Sequence, residues 1–405
     1  MVKSKVSNYK WYILTLSALT HTLVMGMPMM SMPVLFKEIS EDLGLSLVQI
    51  GTVWGMGAAG GIFVVLFAGL LGDRFGVKRF LSVACLLVGL SGAMRGLAGD
   101  FITLVATVFL NGLISATVTI NVHKTAAVWF PRQQLALANG ILSTGMAVGF
   151  MAGAMISATV LSPLLGGWRN VIFLFGAISV VIGILWMLSR SQPAQVESST
   201  GHASMIPLRQ ALSHVVRIRM VWVLGLTMLF YSACTQGLRG YLALYLRDMG
   251  WTGAGADGTL AAFSVASLIC VIPLALLSDR LGSRKAILFG GMLTATIGVG
   301  LLSVASGPMV WVAVIIAGIF FDGFMAVLFT LVMEIEGIGP TYAGTAIGIV
   351  LTTSMLGSII SPPLGNSFAS IDPGAPFIFW AALAAIGLLS FFFIKETGRR
   401  RLQEI

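Results

Sequence analysis

Gly69-Leu70-Leu71-Gly72-Asp73-Arg74-Phe75-Gly76-Val77-Lys78-Arg79 returns about half a chain later as Ala275-Leu276-Leu277-Ser278-Asp279-Arg280-Leu281-Gly282-Ser283-Arg284-Lys285. Each copy is a short charged turn with a glycine two residues after its Asp-Arg pair, set between long apolar stretches. A charged turn repeated at that distance predicts a duplicated membrane bundle whose halves can rock against one another.

The composition agrees. Apolar residues make up 57% of the chain, charged residues 10%, and the mean hydropathy is +0.96. A soluble domain carries about 25% charge, so this is the balance of an integral membrane protein. Crossing a hydrocarbon core of about 30 Å takes roughly 20 apolar residues, and a helix satisfies every backbone polar group within its own segment. Twelve such segments are expected, near 11–36, 47–71, 80–98, 102–128, 137–162, 169–189, 220–246, 258–278, 286–305, 309–334, 343–366 and 375–395. They divide six and six about a polar centre, an all-α membrane fold of two pseudo-symmetric six-helix bundles.

The formal net charge of +9 suggests nucleic acid only until its distribution is read. Lys3, Lys5, Lys10, Lys78, Arg79, Arg132, Arg190, Arg280, Arg284, Lys285 and Arg399 to Arg401 fall on one side, and few cations, among them Arg95 and Arg169, fall on the other. That is the positive-inside pattern: it predicts cytoplasmic termini and a plasma (inner) membrane protein, and leaves no case for nucleic acid. The Lys-bearing start runs directly into an apolar stretch too long for a signal-peptide core, so span 1 is expected to be its own insertion signal. Cys85, Cys234 and Cys270 all lie inside expected spans, an odd number that implies no disulfide framework.

From Ser191 to His202 the chain turns polar and rich in Pro, Ser and Gly, as a flexible linker does. Residues 1–189 are therefore expected to form the N-terminal bundle, 190–219 a cytoplasmic linker, and 220–405 the C-terminal bundle. Between Pro207 and Arg219, Leu208, Leu212 and Val215-Val216 alternate with Arg209, Arg217 and Arg219, which suits an amphipathic helix on the inner membrane surface. Gly145, Gly149 and Gly153 strip one face of span 5, and Gly344 and Gly348 begin a comparable face in span 11. Such faces let helices approach closely.

With these features the chain resembles the major facilitator superfamily of secondary transporters, over nearly its whole length. The most specific match is the loop between spans 2 and 3, where Gly69, Leu71, Gly72, Asp73, Arg74, Gly76, Lys78 and Arg79 meet the superfamily pattern and Val77 replaces one basic residue. The second copy keeps Leu277, Asp279, Arg280, Gly282, Arg284 and Lys285. Phe150 replaces the proline of the antiporter motif in span 5, and Val108 stands where an arginine linked to proton transfer is frequent in span 4. Glu334 to Pro340 and Tyr241 to Leu246 are similar to the branch of cyanate and small organic anion porters. Arginines in spans 2 and 8, used by nitrate porters, are not found.

The residues of the twin turn suit a cytoplasmic gate: Gly69, Asp73, Arg74, Gly76, Lys78 and Arg79 in the first copy; Asp279, Arg280, Gly282, Arg284 and Lys285 in the second. A carboxylate ending a helix can meet the positive end of a neighbour and bond a nearby arginine. An exposed ion pair of about 1 kcal/mol can be broken in every cycle. Charge fixing topology alone would not require an Asp at the same place in both halves.

The resemblance implies that spans 1, 4, 7 and 10 line the path. Ionisable residues inside spans are costly and mark pathways. Asp322 in span 10 lies near the midplane, and Arg239 in span 7, on a stripe with Tyr231 and beside Gln236, is its expected partner. Thr117, Asn121 and Lys124 form a descending polar stripe in span 4, with Asn111 higher. His21 in span 1 shares a stripe with Met25, Met29 and Met32 and can titrate near neutral pH. For each of these, static packing or snorkelling is the competing reading. The methionines are soft metal ligands, but flexible packing accounts for them, and no metal site is expected.

The expected function is secondary active transport of a small solute, an organic or inorganic anion, by alternating access with a coupling proton or other ion, or by exchange. Efflux of an amphipathic compound, and a non-transporting sensor of the same fold, are the alternatives. No nucleotide-binding Gly-x-x-x-x-Gly-Lys turn or catalytic dyad occurs in the sequence, so neither enzyme nor cofactor is expected. The expected partners are substrate and membrane lipid, and the expected state is a monomer.

Overall fold

The computed structural model describes residues 2–65, 76–190 and 208–397, and among these helices are the only regular secondary structure. Among the described residues eleven helices are long and apolar enough to cross a membrane. Spans 1 to 6 are Tyr9–Leu43, Leu47–Val64, Val77–Leu97, Phe101–Trp129, Leu137–Leu165 and Trp168–Leu188. Spans 7, 8 and 10 to 12 are Arg219–Asp248, Gly253–Ser278, Pro308–Glu334, Tyr342–Ser370 and Ala375–Phe392. The expected ninth span is the 18-residue helix Arg284–Leu301, whose apolar run is shortened by the two cations that open it.

Local chemistry sets the ends. Asp100 caps span 4 in a capping box: its carboxylate accepts the Thr103 N–H at 2.9 Å, and Thr103 Oγ1 accepts the Asp100 N–H at 3.3 Å. Pro308 starts span 10 where a missing N–H costs nothing. Gly282 ends the helix Gly253–Leu281 at φ +62°, and Gly76 precedes span 3 at φ +77°. Both copies of the charged turn thus place their glycine in the left-handed region, which side-chain-bearing residues avoid.

Three of the described spans depart from regular helix in their interior. Span 1 widens into a π-helix over Thr20–Gly26, and span 5 does so over Ser157–Leu161. Span 10, expected as one helix, is broken between Pro308–Gly318 and Phe321–Glu334. The cause is visible at the break: the Asp322 N–H donates to Ser267 Oγ at 2.8 Å, so a side chain of span 8 takes a donor that an unbroken ladder would use.

The described contacts group into two compact units, Met1–Leu43 with Ala59–Met205 and Gly44–Ala58 with Ile206–Ile405. The first is centred on apolar residues of spans 1, 3, 4, 5 and 6, among them Leu16, Cys85, Val122, Leu142 and Trp186. Trp186 is buried whole because its indole N–H donates to Thr20 Oγ1 at 2.9 Å. In span 5, a Cβ on Gly145, Gly149 or Gly153 would come within 2.9, 2.7 and 2.5 Å of the carbonyls of Ala18, Thr22 and Met27, so the stripped face lies directly on the backbone of span 1. Gly344 has open space where its Cβ would be.

In the second unit span 7 is the axis. Nearly every residue from Tyr231 to Leu246 is buried, against spans 8, 11 and 12. Tyr241, Tyr245, Phe377 and Trp380 form an aromatic cluster with ring centroids 5.0 to 5.8 Å apart. The first half of span 2 belongs here: the Trp54 indole donates to Gln236 O at 2.9 Å, and the Asn366 amide to Leu47 O at 2.8 Å. The amphipathic segment before span 7 is a helix over Leu208–Val215. Its buried residues Ala211 and Val215 face protein, and the His214 ring stacks on Tyr342 at 4.4 Å and bonds Gly337 O through Nε2 at 2.8 Å.

Candidate functional site

In the second unit the charged residues singled out from sequence come together around Phe321. Arg239 is 7% exposed, and its Nη2–H donates to Gln236 Oε1 at 2.8 Å. Its guanidinium carbon lies 4.7 Å from the centroid of Phe321, a cation–π contact. Asp322, the next residue, bonds Ser267 instead: Ser267 Oγ–H donates to Oδ2 at 2.6 Å while Ser267 Oγ accepts the Asp322 N–H. The expected Arg239–Asp322 ion pair is not among the salt bridges of the described residues. Tyr231 stacks on Phe324 with centroids 3.9 Å apart, and its buried hydroxyl has no hydrogen-bond partner.

This leaves Arg239 without a carboxylate hydrogen bond among the described residues. A guanidinium has five N–H donors; here one meets a neutral amide, and Nε–H is buried without a partner. A buried cation in that condition is costly, and it suits a planar anion that accepts two parallel hydrogen bonds.

The first-unit residues divide into two groups. His21, in the π-helical stretch, has Nδ1 3.1 Å from Leu142 O, and its ring meets His123 edge-on at 5.1 Å. His123 in turn has Nδ1 2.9 Å from Asn139 Oδ1. A helical stripe drawn through Thr117, Asn121 and Lys124 passes His123 by, so sequence reasoning missed it. The only signal was a second histidine inside an apolar span. Thr117 and Asn121 are buried, with the Asn121 amide donating to Thr117 O at 2.8 Å, and Lys124 is half-buried. Asn111 turns elsewhere, donating to Val88 O at 3.2 Å and Ser91 Oγ at 3.1 Å on span 3.

Of the expected gate, Gly69, Asp73 and Arg74 lie outside the described residues, as does the side chain of Asp279. Lys78 is half-buried, and Arg79 and Arg280 are exposed. In the second copy Arg284 Nη2 lies 3.4 Å from Glu334 Oε1, and its Nη1–H donates to Ser278 Oγ at 3.0 Å. Lys285 Nζ donates to Ile394 O at 3.0 Å. Glu396, which sequence reasoning did not single out, covers the start of the helix Arg284–Leu301. Its carboxylate accepts the N–H groups of Arg284 and Lys285 at 2.9 and 3.2 Å and the hydroxyl of Ser283. A carboxylate on unpaired N–H groups at a helix start is favoured by charge as well as by hydrogen bonding.

Two compact helical units, eleven apolar helices among the described residues long enough to cross a membrane, and ionisable groups inside them define a polytopic membrane protein of the transporter type. The chain belongs to the Major Facilitator Superfamily, whose family model matches residues 14–337 and again 259–404. It is 26% identical to the "Probable nitrate/nitrite antiporter NarK1" of Thermus thermophilus, over 97% of this chain and 92% of that one. It is 25% identical to the 3-(3-hydroxy-phenyl)propionate transporter of Escherichia coli K12, over 91% of each chain. Its fold is that of a bacterial homologue of the human lysosomal transporter Spinster, with a TM-score of 0.79 at 17% identity over 95% and 96% of the two chains.

Proposed function

We propose that the chain is a secondary transporter of small organic or inorganic anions, with Arg239 as the cation that receives them. The observation that carries this reading is a guanidinium 7% exposed that hydrogen-bonds a neutral amide and faces an aromatic ring, with no salt bridge to a carboxylate among the described residues. Nitrate and carboxylates present coplanar oxygens that match the guanidinium fork, and both relatives described above are named for transport of such anions. Gln236 is the internal stand-in, a neutral acceptor that an incoming anion displaces.

Energy comes from an ion or exchange gradient, and Asp322 is the residue through which a proton couples. Asp322 follows Phe321, the ring that Arg239 faces, so an anion on Arg239 and a proton on Asp322 would act on adjoining groups. His21, facing His123, is the second candidate for proton coupling. The turn around Arg284, Glu334 and Glu396 serves as a cytoplasmic gate in an inner-membrane protein with both termini inside, working as a monomer among lipid.

Uptake of labelled nitrate and of 3-(3-hydroxyphenyl)propionate into proteoliposomes tests the reading. Arg239→Ala should lower kcat/KM about 10- to 100-fold, the loss of a charged hydrogen bond of about 1.5–3 kcal/mol. Arg239→Lys should recover part of it. Undiminished uptake by Arg239→Ala, with either substrate, removes the assignment.

A further inference from the structure

We propose that the second unit carries a docking site for an anionic phospholipid of the phosphatidylglycerol type, its phosphate received by Arg219 and Lys395, at a place the transport reading above does not use. Span 7 begins at Arg219, and spans 10 and 12 end at Glu334 and Phe392. The residues at those ends meet around one cavity of about 350 Å³, walled by Arg219, Val223, Ile335, Glu336, Phe393 and Lys395. That volume is of the size of small-molecule sites and far above the roughly 30 Å³ of a single water.

The walls have two chemistries. Arg219 and Lys395 are exposed cations, and among the described residues neither is in a salt bridge. Arg219 instead sets its guanidinium carbon 5.8 Å from the centroid of the Phe393 ring. Val223, Ile335 and Phe393 supply an apolar wall. Apolar surface runs on from there along both helices: Leu226, one turn beyond Val223, is 48% exposed, and Leu389, one turn before Phe393, is 57% exposed. A ligand with a phosphate head and a hydrocarbon tail meets both parts, whereas a soluble anion leaves the apolar wall bare. Trp222 marks the depth. It is 43% exposed, and its indole N–H donates to Val216 O at 2.9 Å. An outward tryptophan with a bonded polar tip belongs at the membrane–water interface. Arg219 stands three residues away, about 4.5 Å along the helix, and so at the level of lipid headgroups.

The competing reading is that these cations only fix topology and extend into water. It accounts for the charge but not for a cavity between the two with apolar walls. Charge balance then selects the lipid. Glu336 is likewise in no salt bridge among the described residues, so Arg219, Lys395 and Glu336 sum to one positive charge. One phosphodiester of phosphatidylglycerol cancels it, and the glycerol hydroxyls can donate to the Glu336 carboxylate. Zwitterionic phosphatidylethanolamine or phosphatidylcholine leaves the positive charge uncompensated.

The test is native mass spectrometry of the delipidated full chain titrated with dimyristoyl phosphatidylglycerol, phosphatidylethanolamine and phosphatidylcholine. The wild type should bind one phosphatidylglycerol about 10-fold more tightly than either zwitterion, the order expected of juxtamembrane cations. Arg219→Gln combined with Lys395→Gln should remove that preference. Val223→Trp fills the cavity with both cations in place and should remove it too, while Arg280→Gln, which loses an exposed cation outside the cavity, should bind as the wild type does. Equal affinity for the three lipids, or a phosphatidylglycerol preference that survives the double substitution, would mean annular lipid only and overturns the proposal. Displacement of the lipid by an equal concentration of inorganic phosphate or glycerophosphoglycerol would assign the cavity to a soluble phosphate and overturns it equally.

Discussion

Ser267 holds Asp322 from two sides, by carboxylate and by backbone amide, and nothing else among the described residues bonds that side chain. Ser267→Ala therefore leaves a half-buried carboxylate and an N–H unsatisfied together, and should destabilise the protein by about 1–3 kcal/mol in detergent unfolding. Asp322 and Arg239 were legible in the sequence because charge inside an apolar span is rare. Ser267 was not, since a serine in such a span has no spacing that marks its partner. At the membrane edge, accepting the Thr103 N–H holds the Asp100 carboxyl below the usual aspartate range. A depressed folded pKa means that the cap stabilises at and above the ordinary carboxylate range and fades as pH falls through the lowered value. Asp100→Ala should accordingly lower the midpoint at neutral pH, and the difference should vanish in strong acid.

Among elements, glycine faces give the sharpest contrast. Gly149→Leu drives a side chain into the backbone of span 1, where a Cβ alone would stand 2.7 Å from Thr22 O, and should prevent stable folding. Gly344→Ala meets nothing and should raise helix stability by up to about 1 kcal/mol. Expression followed by size-exclusion profiles separates the two. Spacing exposed both faces equally; what each would touch depends on packing that spacing does not encode. The charged turn was legible for the same reason, with Gly76 and Gly282 fixed by backbone geometry, but Glu396 lies far along the chain and no local pattern ties it to Arg284. Glu396→Gln halves the cap of the ninth span, and its unfolding midpoint should fall further than that of Glu334→Gln, whose ion pair is partly solvated.

For the whole molecule, the tandem of helical bundles could be read from the charged turn and the run of apolar segments. The allotment of Gly44–Ala58 to the second unit could not, because nothing in its apolar sequence names span 11 as its neighbour. A Cβ on Gly51 or Gly55 would lie 2.7 or 2.6 Å from the Pro362 and Ile359 carbonyls, so this stretch is fitted closely to that helix. Residues 206–405 produced alone should therefore be poorly recovered and readily proteolysed, and co-production with residues 1–205 should restore a protected form. The same fit governs recombination with a relative. A chimaera joined at the hydrophilic connector inherits one parent's Trp54 and the other parent's Gln236, however well each parent behaves. Exchanges that move the Gly44–Ala58 cassette along with the downstream parent preserve the native match, and libraries built on that three-piece scheme should yield more intact carriers than those cut once in the middle.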